Sequence, residues 1–410
     1  MISRLSLRNT AGRVRTLYGQ GRYQEALDIC LQITGANPEI SGAWGDAAVN
    51  CIQLGRWQDA VHYAQTALAR GGNSLAIYDT LAHAHGRLGQ WDAARHYGLQ
   101  ALNAKARQFS AAPVIPQPAL GPLPPLPSPQ TRERNIIAFS LFSDDSKYCE
   151  TAVLNVQEQP TVYPHWICRF YVDGSVPGHV IERLRAGGAQ IVSVEGPAAQ
   201  WPEPMWRLLA LQDPQAHRIL FRDADAVISR REAAAVAQWL SSGQRFHMMR
   251  DWGSHTALML AGLWAIVAGS LPPLEQLMAR FLSAPLESRH FADQHFLRQY
   301  VWPYARASLM QHDSVFGFMD AAAFPEGKRS EYFHVGCMES VRFTAPSDLP
   351  DGTEVVWALN RNPGQPPANR VCAYPATVKE GALSAYIPMR YQQWIEKGTA
   401  HIHVTSGHAV

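Results

Sequence analysis

Two aspartates spaced two apart, Asp223 and Asp225, directly follow the apolar run Arg218-Ile219-Leu220-Phe221 and Arg222. If the segment stays extended there, both carboxylates project to one face. Carboxylates held close repel each other and bind protons more tightly unless a cation lies between them. A hard divalent cation, Mn²⁺ or Mg²⁺, takes oxygen ligands and bridges to phosphates. The pair is therefore a candidate holder of a metal–diphosphate group, with the metal neutralising charge that develops on a leaving diphosphate. The competing reading has two solvated loop aspartates that cap a helix over 231–240.

The elements that must position this pair read as strands alternating with helices. Strands are expected at 135–141, 166–173, 190–194 and 218–221, and helices at 149–157, 180–186, 205–211 and 231–240. Gly187-Gly188 reads as a helix stop. Such alternation implies a mainly parallel sheet covered on both faces. Ligands of such sheets bind beyond the carboxyl ends of the strands, which is where the aspartates fall. A phosphotransferase or nucleotidyltransferase would share the two-carboxylate chemistry, but the Gly-rich phosphate loop it should show is not apparent.

Met205-Trp206-Arg207-Leu208-Leu209-Ala210, followed by Arg218 to Ser229 with its Phe221-Arg222-Asp223-Ala224-Asp225, resembles nucleotide-sugar glycosyltransferases of the GT-A fold. Met249-Arg250-Asp251, Leu260 to Ala265, Asp293-Gln294 and Gln311-His312-Asp313-Ser314 extend the resemblance, which covers about residues 135–340. It implies a Rossmann-like α/β/α domain. It also implies a metal-dependent transfer of sugar from a nucleotide-diphospho-sugar to a glycan or protein acceptor. Carried onto these positions, Asp225 is the direct metal ligand and Asp223 a ligand or a ribose or metal contact. His312, in competition with His334, is the third ligand. Arg207 and Arg222 would fork onto diphosphate oxygens, the alternatives being a surface charge and an ion pair with a neighbouring aspartate. Asp293 is the candidate for sugar or acceptor contact and general base; a helix N-cap is the other reading. Asp251 and His255 are candidates for donor-sugar or acceptor contact, with a buried ion pair of Asp251 with Arg250 or another arginine as the alternative. Trp206 and Trp264 would flank the donor site, as core or pocket wall. The H-x-x-G-x-x-K-P-W element of glycogenin-like retaining enzymes is not evident, so retention and inversion both stay open.

The N-terminal part repeats every 34 residues. Gly21, Gly55 and Gly89 align, as do Tyr23, Trp57 and Trp91, and Ala26, Ala60 and Ala94. The glycine ends one helix in a left-handed turn, the aromatic wedges beneath it, and the alanine lets paired helices approach. This pattern resembles the tetratricopeptide repeat over about residues 7–106. It implies a surface for a protein partner, the acceptor or self-association. Eight prolines between Pro113 and Pro129 forbid helix and sheet interiors and imply an extended connector. The expected organisation is a repeat domain over 1–110, a linker over 111–134, the GT-A-like domain over 135–340 and a C-terminal extension over 341–410 lying across the active face. Within the extension, 354–359 reads as a strand, 389–397 as a helix, and His401, His403 and His408 as a frayed tail that holds no metal.

Composition bounds these readings. The 410 residues are 47 % hydrophobic and 17 % charged, with a formal charge of +2, which argues against disorder and against non-specific nucleic-acid binding. Six scattered cysteines without C-x-x-C give no structural-zinc signal and suit a reducing compartment. The segment beginning Met1-Ile2-Ser3 lacks a signal-peptide apolar core, and the longest uncharged apolar run, 257–269, falls short of the ~20 residues of a membrane span. A cytoplasmic protein is expected. The rival to an enzyme is a non-catalytic repeat scaffold carrying a degenerate sugar-nucleotide-binding domain.

Overall fold

The computed structural model describes residues 4–72, 75–330, 332–364 and 369–406. Met1 to Ser3 and His408 lie outside them. The chain forms two compact units, one of Met1–Val114, Met248–Leu260 and Leu297–His334, the other of Ile115–His247, Ala261–Phe296 and Val335–Val410.

The first unit opens with α1 (Arg4–Gly19), α2 (Tyr23–Ala36), α3 (Ser41–Gln53), α4 (Trp57–Ala69), α5 (Leu75–Arg87) and α6 (Trp91–Gln108). The expected turns are present. Gly21, Gly55 and Gly89 have φ of 73°, 68° and 71°. After each, the next amide donates five residues back, Arg22 to Leu17, Arg56 to Cys51 and Gln90 to His85, at 2.8–2.9 Å. This is the pairing that a left-handed glycine makes available to otherwise orphaned carbonyls. Tyr23, Trp57 and Trp91 each begin the following helix, and Ala26, Ala60 and Ala94 are fully buried one turn later. The later segments of the sequence complete this unit. Lys105 holds Asp79 at 2.6 Å and the Thr256 carbonyl at 2.9 Å, and Arg95 donates to the Val315 carbonyl at 2.9 Å.

The second unit alternates as expected. β1 (Asn135–Leu141), α7 (Ser146–Val162), β2 (Ile167–Val172), α8 (Gly178–Ala186) and β3 (Gln190–Ser193) are followed by a 3-10 helix (Glu203–Gln212) and β4 (Arg218–Phe221). Then come α9 (Arg230–Ser241), β5 (Phe246–Arg250), which ends in the first unit, and β6 (Trp264–Val267). The strand order is β3-β2-β1-β4-β6-β5. β1 to β4 run parallel, and β6 is antiparallel to β4. β1 and β4 are buried along their whole length, the signature of a strand covered on both faces. An all-α region followed by this mixed sheet and its helices fits the expected GT-A-like α/β class. In the first unit, β7 (Leu309–Asp313) lies beside the end of β5.

The proline tract carries no helix or strand before Pro129, as its composition requires. It is nevertheless held in place, because Arg218 donates to the carbonyls of Pro125 at 2.6 Å and Pro124 at 2.8 Å. After α10 (Leu274–Phe281) and α11 (Ala292–Phe296), the C-terminal part builds a ribbon of β8 (Ser340–Pro346) and β11 (Ala382–Pro388). A three-stranded sheet follows, ordered β10 (Arg370–Thr377), β9 (Glu354–Arg361), β12 (Ala400–Ser406), with helix α12 (Met389–Glu396) beside it. His401 and His403 are therefore paired strand residues, opposite Asn360 and Ala358, and not a frayed tail. Fully buried Glu150 on α7 anchors this part: it accepts from both Arg183 nitrogens at 2.6 and 2.9 Å, from the Tyr374 hydroxyl at 2.6 Å and from the Tyr391 hydroxyl at 3.0 Å.

Candidate active site

β4 delivers the aspartates from the middle of the sheet. Its apolar residues are covered by neighbours on both sides, and the chain leaves it at Arg222. The segment does not stay extended, because it turns through Ala224-Asp225, so strand alternation does not set the two side chains. Neither aspartate caps the next helix; Ser229 does, accepting from the Glu232 amide. Fully buried Asn155 of α7 fixes the turn, donating to the Ala226 carbonyl at 2.8 Å and accepting from the Ile228 amide at 2.9 Å.

Arg207 organises the site. It is 3 % exposed, and one guanidinium nitrogen donates to Asp223 Oδ1 at 2.5 Å and to the Arg222 carbonyl at 2.7 Å. The other nitrogen donates to Asp293 Oδ2 at 2.6 Å. Its own amide is held by Ser140 Oγ at 2.9 Å. Burial opposes its charge, but the two carboxylates more than offset this and raise its pKa. The sequence reading aimed Arg207 at diphosphate; its hydrogen bonds here go to the two aspartates and a carbonyl. Asp293 lies inside the first turn of α11 and not at its N-cap. Its Oδ1 accepts from the Gln294 amide at 2.8 Å, and burial raises its proton affinity although Arg207 pulls the other way.

Asp225 is the second pole. Burial raises its pKa, Asp223 raises it further, and Lys147 opposes both. The Lys147 ammonium stands 3.5 Å from Asp225 Oδ2. Sequence reasoning missed Lys147, whose only local signal is its place one residue past Ser146 at the start of α7. It also missed Asn155, a polar residue on a helix face otherwise made by Ala152, Val153 and Val156.

The remaining candidates are placed differently. Arg222 is buried and points into an ion pair with Glu232 at 2.9 Å, not with a neighbouring aspartate. Tyr163 donates to that same Glu232 oxygen at 3.1 Å. Trp264 has no exposed surface and stacks on Phe221 at 4.1 Å, so it is core and offers no face to a donor. Asp251, His255 and His312 belong to the first unit. Asp251 is fully buried and accepts from Ser314 Oγ at 2.5 Å, while its amide donates to His255 Nδ1 at 3.0 Å. The Arg250 guanidinium turns elsewhere, to Gln311 Oε1 and to the carbonyls of Ala257 and Leu258. Burial pushes the His255 imidazole well below its usual range and that of His312 down to about 4. Among the described residues no three His, Cys, Asp or Glu side chains form a metal-holding group.

No protein-family profile matches the sequence. No curated protein matches it either. Among solved structures, a mutant O-GlcNAc transferase from Thermobaculum terrenum is 16 % identical with a TM-score of 0.30, covering 53 % of this chain and 50 % of its own. A mannosyltransferase from Pyrobaculum calidifontis in complex with GDP-Man and Mn²⁺ is 14 % identical with a TM-score of 0.32, covering 58 % and 67 %. Glucosyl-3-phosphoglycerate synthase from Mycobacterium tuberculosis, with Mn²⁺, UDP-glucose and phosphoglyceric acid, is 16 % identical with a TM-score of 0.30, covering 43 % and 69 %. This chain thus spans half the length of the first of these.

Proposed function

We propose that the chain is a metal-dependent glycosyltransferase that moves a sugar from a nucleotide-diphospho-sugar to a glycan or protein acceptor. One observation carries the reading: two carboxylates stand beyond the carboxyl end of a central strand, the first clamped through buried Arg207 to a third, Asp293. The donor set suits Mn²⁺ or Mg²⁺. Both are oxygen-seeking ions commonly bound by one or two carboxylates plus substrate phosphates, with no closed protein cage. Asp225, whose charge is disfavoured by burial and by Asp223, gains from such a cation. Asp223 and Asp225 would hold the ion, which when bound would neutralise charge on the departing diphosphate.

In the transfer, the bond from the sugar's anomeric carbon to the diphosphate oxygen breaks, and the electron pair leaves with the diphosphate. The acceptor oxygen bonds to that carbon and loses its proton. We assign this proton to Asp293, whose proton affinity burial raises and whose oxygens each keep a second lone pair beyond the bonds to Arg207 and Gln294. Arg207 keeps Asp293 and Asp223 at a fixed spacing. Lys147 supplies a second cation on the Asp225 side. The α1–α6 region serves acceptor or partner binding or self-association, as its repeat pattern suggests.

Hydrolysis of UDP-glucose, UDP-N-acetylglucosamine and GDP-mannose with and without Mn²⁺ tests the proposal. Asp225→Ala is expected to abolish turnover and Mn²⁺-dependent nucleotide binding while circular dichroism stays unchanged. Unchanged turnover in that variant sinks the role of the pair. Calorimetry that finds no nucleotide binding to the native chain favours the scaffold instead.

A further inference from the structure

The β8–β11 ribbon has two unlike faces. Val341, Phe343 and Ala345 alternate with Arg342 and Thr344 on one strand, and Leu383, Ala385 and Ile387 alternate with Ser384 and Tyr386 on the other. Leu383 and Ile387 are fully buried, and Phe343 packs edge-on against Trp357 at 5.1 Å. The polar face pairs Arg342 with Tyr386 and Thr344 with Ser384 across the ladder, the two hydroxyls 3.0 Å apart. This face floors a cavity of about 1030 Å³, walled by the loop Ser143–Ser146 and by the end of β10. The volume sits at the upper end of the ~300–1,000 Å³ typical of small-molecule pockets, which favours an extended ligand over a single sugar.

The lining chemistry selects the ligand. The lining holds two cations, Arg342 and Lys379, and three carboxylates, Asp144, Asp145 and Glu380. A phosphorylated or nucleic-acid chain needs a cationic track, and this mixture lacks one. A neutral chain dense in hydroxyls matches short side chains that both donate and accept, with Tyr386 offering an apolar ring and a polar tip. Trp357 also lines the cavity. The residue after this wall, Lys147, reaches Asp225.

We infer that this groove binds a neutral oligosaccharide, which serves as the acceptor. The word acceptor rests on the proposed glycosyltransferase reading; the binding itself does not. The test uses the full chain, without donor, in saturation-transfer-difference NMR with chitopentaose, maltopentaose, cellopentaose and mannopentaose at millimolar concentration. At least one probe is expected to bind. Thr344→Trp, which fills the groove from an exposed position, and Tyr386→Ala, which adds no bulk, should each weaken that binding by about tenfold or more. Asp225→Asn should retain it. No binding by any probe, undiminished binding in both groove variants, or displacement of the glycan by UDP or GDP overturns the inference. Failure of the transferase reading shows separately, as a native chain that neither binds nor hydrolyses any of the nucleotide-sugars while groove binding stays intact.

Discussion

Gly262 tests whether the placement of Asp223 matters. Its backbone needs no left-handed conformation, so only space excludes a side chain. A Cβ built there lies 2.0 Å from Asp223 Oδ2 and 2.4 Å from Cγ. Restoring ordinary van der Waals contact at 3.4 Å requires the carboxylate to move by about 1.4 Å. The move cannot leave the Arg207 contact intact at 2.5 Å, because Arg207 is itself fixed by Asp293, Ser140 and the Arg222 carbonyl. Overpacking costs about 1–3 kcal/mol. The Asp223–Arg207 contact adds little to this, since the Asp223 side chain is 51 % exposed and solvent-screened. A misplacement near 1 Å at a reacting centre costs roughly 10²-fold in rate. Gly262→Ala should therefore stay folded at 25 °C and lose roughly two orders of magnitude in donor hydrolysis. Its affinity for nucleotide in Mn²⁺ should fall too, read by calorimetry beside a thermal melt. Turnover within about twofold of the native chain would refute the reasoning, because the carboxylate would then tolerate a displacement larger than any metal–oxygen bond allows.

Three further outcomes follow from buried charges. Arg207→Met leaves Asp293 buried without its cation, and urea unfolding should show a loss of about 3–5 kcal/mol, with Arg207→Lys recovering only part of it. Glu150→Gln removes the charge that Arg183, Tyr374 and Tyr391 share. It should lower stability by about 3–5 kcal/mol and make residues beyond 340 the first cut in limited proteolysis; an unchanged cleavage pattern would show that Glu150 is not the anchor. His83 packs against Trp57 at 5.5 Å, and burial first, then Arg87, pushes its imidazole down to about 4. A base with a lowered folded pKa contributes stability that is present above its ordinary value near 6.5 and lost as pH falls from there towards 4. Melts of His83→Gln across that window should fall less steeply than native ones.

What the sequence could disclose depended on how local each cause was. The helical hairpins were legible because a left-handed turn at Gly21, Gly55 and Gly89 leaves its mark at the position that needs it, and the mark recurs every 34 residues. β4 was legible because a strand covered on both faces must be apolar throughout, and an abrupt change to Arg-Asp-Ala-Asp can only mean that it has ended. Direction was not legible. Arg222 directly precedes an aspartate and Arg207 has none next to it, yet Arg207 turns to Asp223 and Asp293 and Arg222 to Glu232, choices made by residues up to 86 positions away. Lys147 and Asn155 were invisible for the same reason: a lysine near a helix start and an asparagine within it gain meaning only when the turn after β4 arrives beside them. Trp264 was ambiguous because an aromatic at a strand start serves a core and a pocket wall equally well, until stacking on Phe221 decides between them. The acidic pair was thus found by type and spacing. The arginine that clamps one aspartate and the lysine that faces the other act on it through tertiary partners, and the chemistry depends on these as much as on the pair.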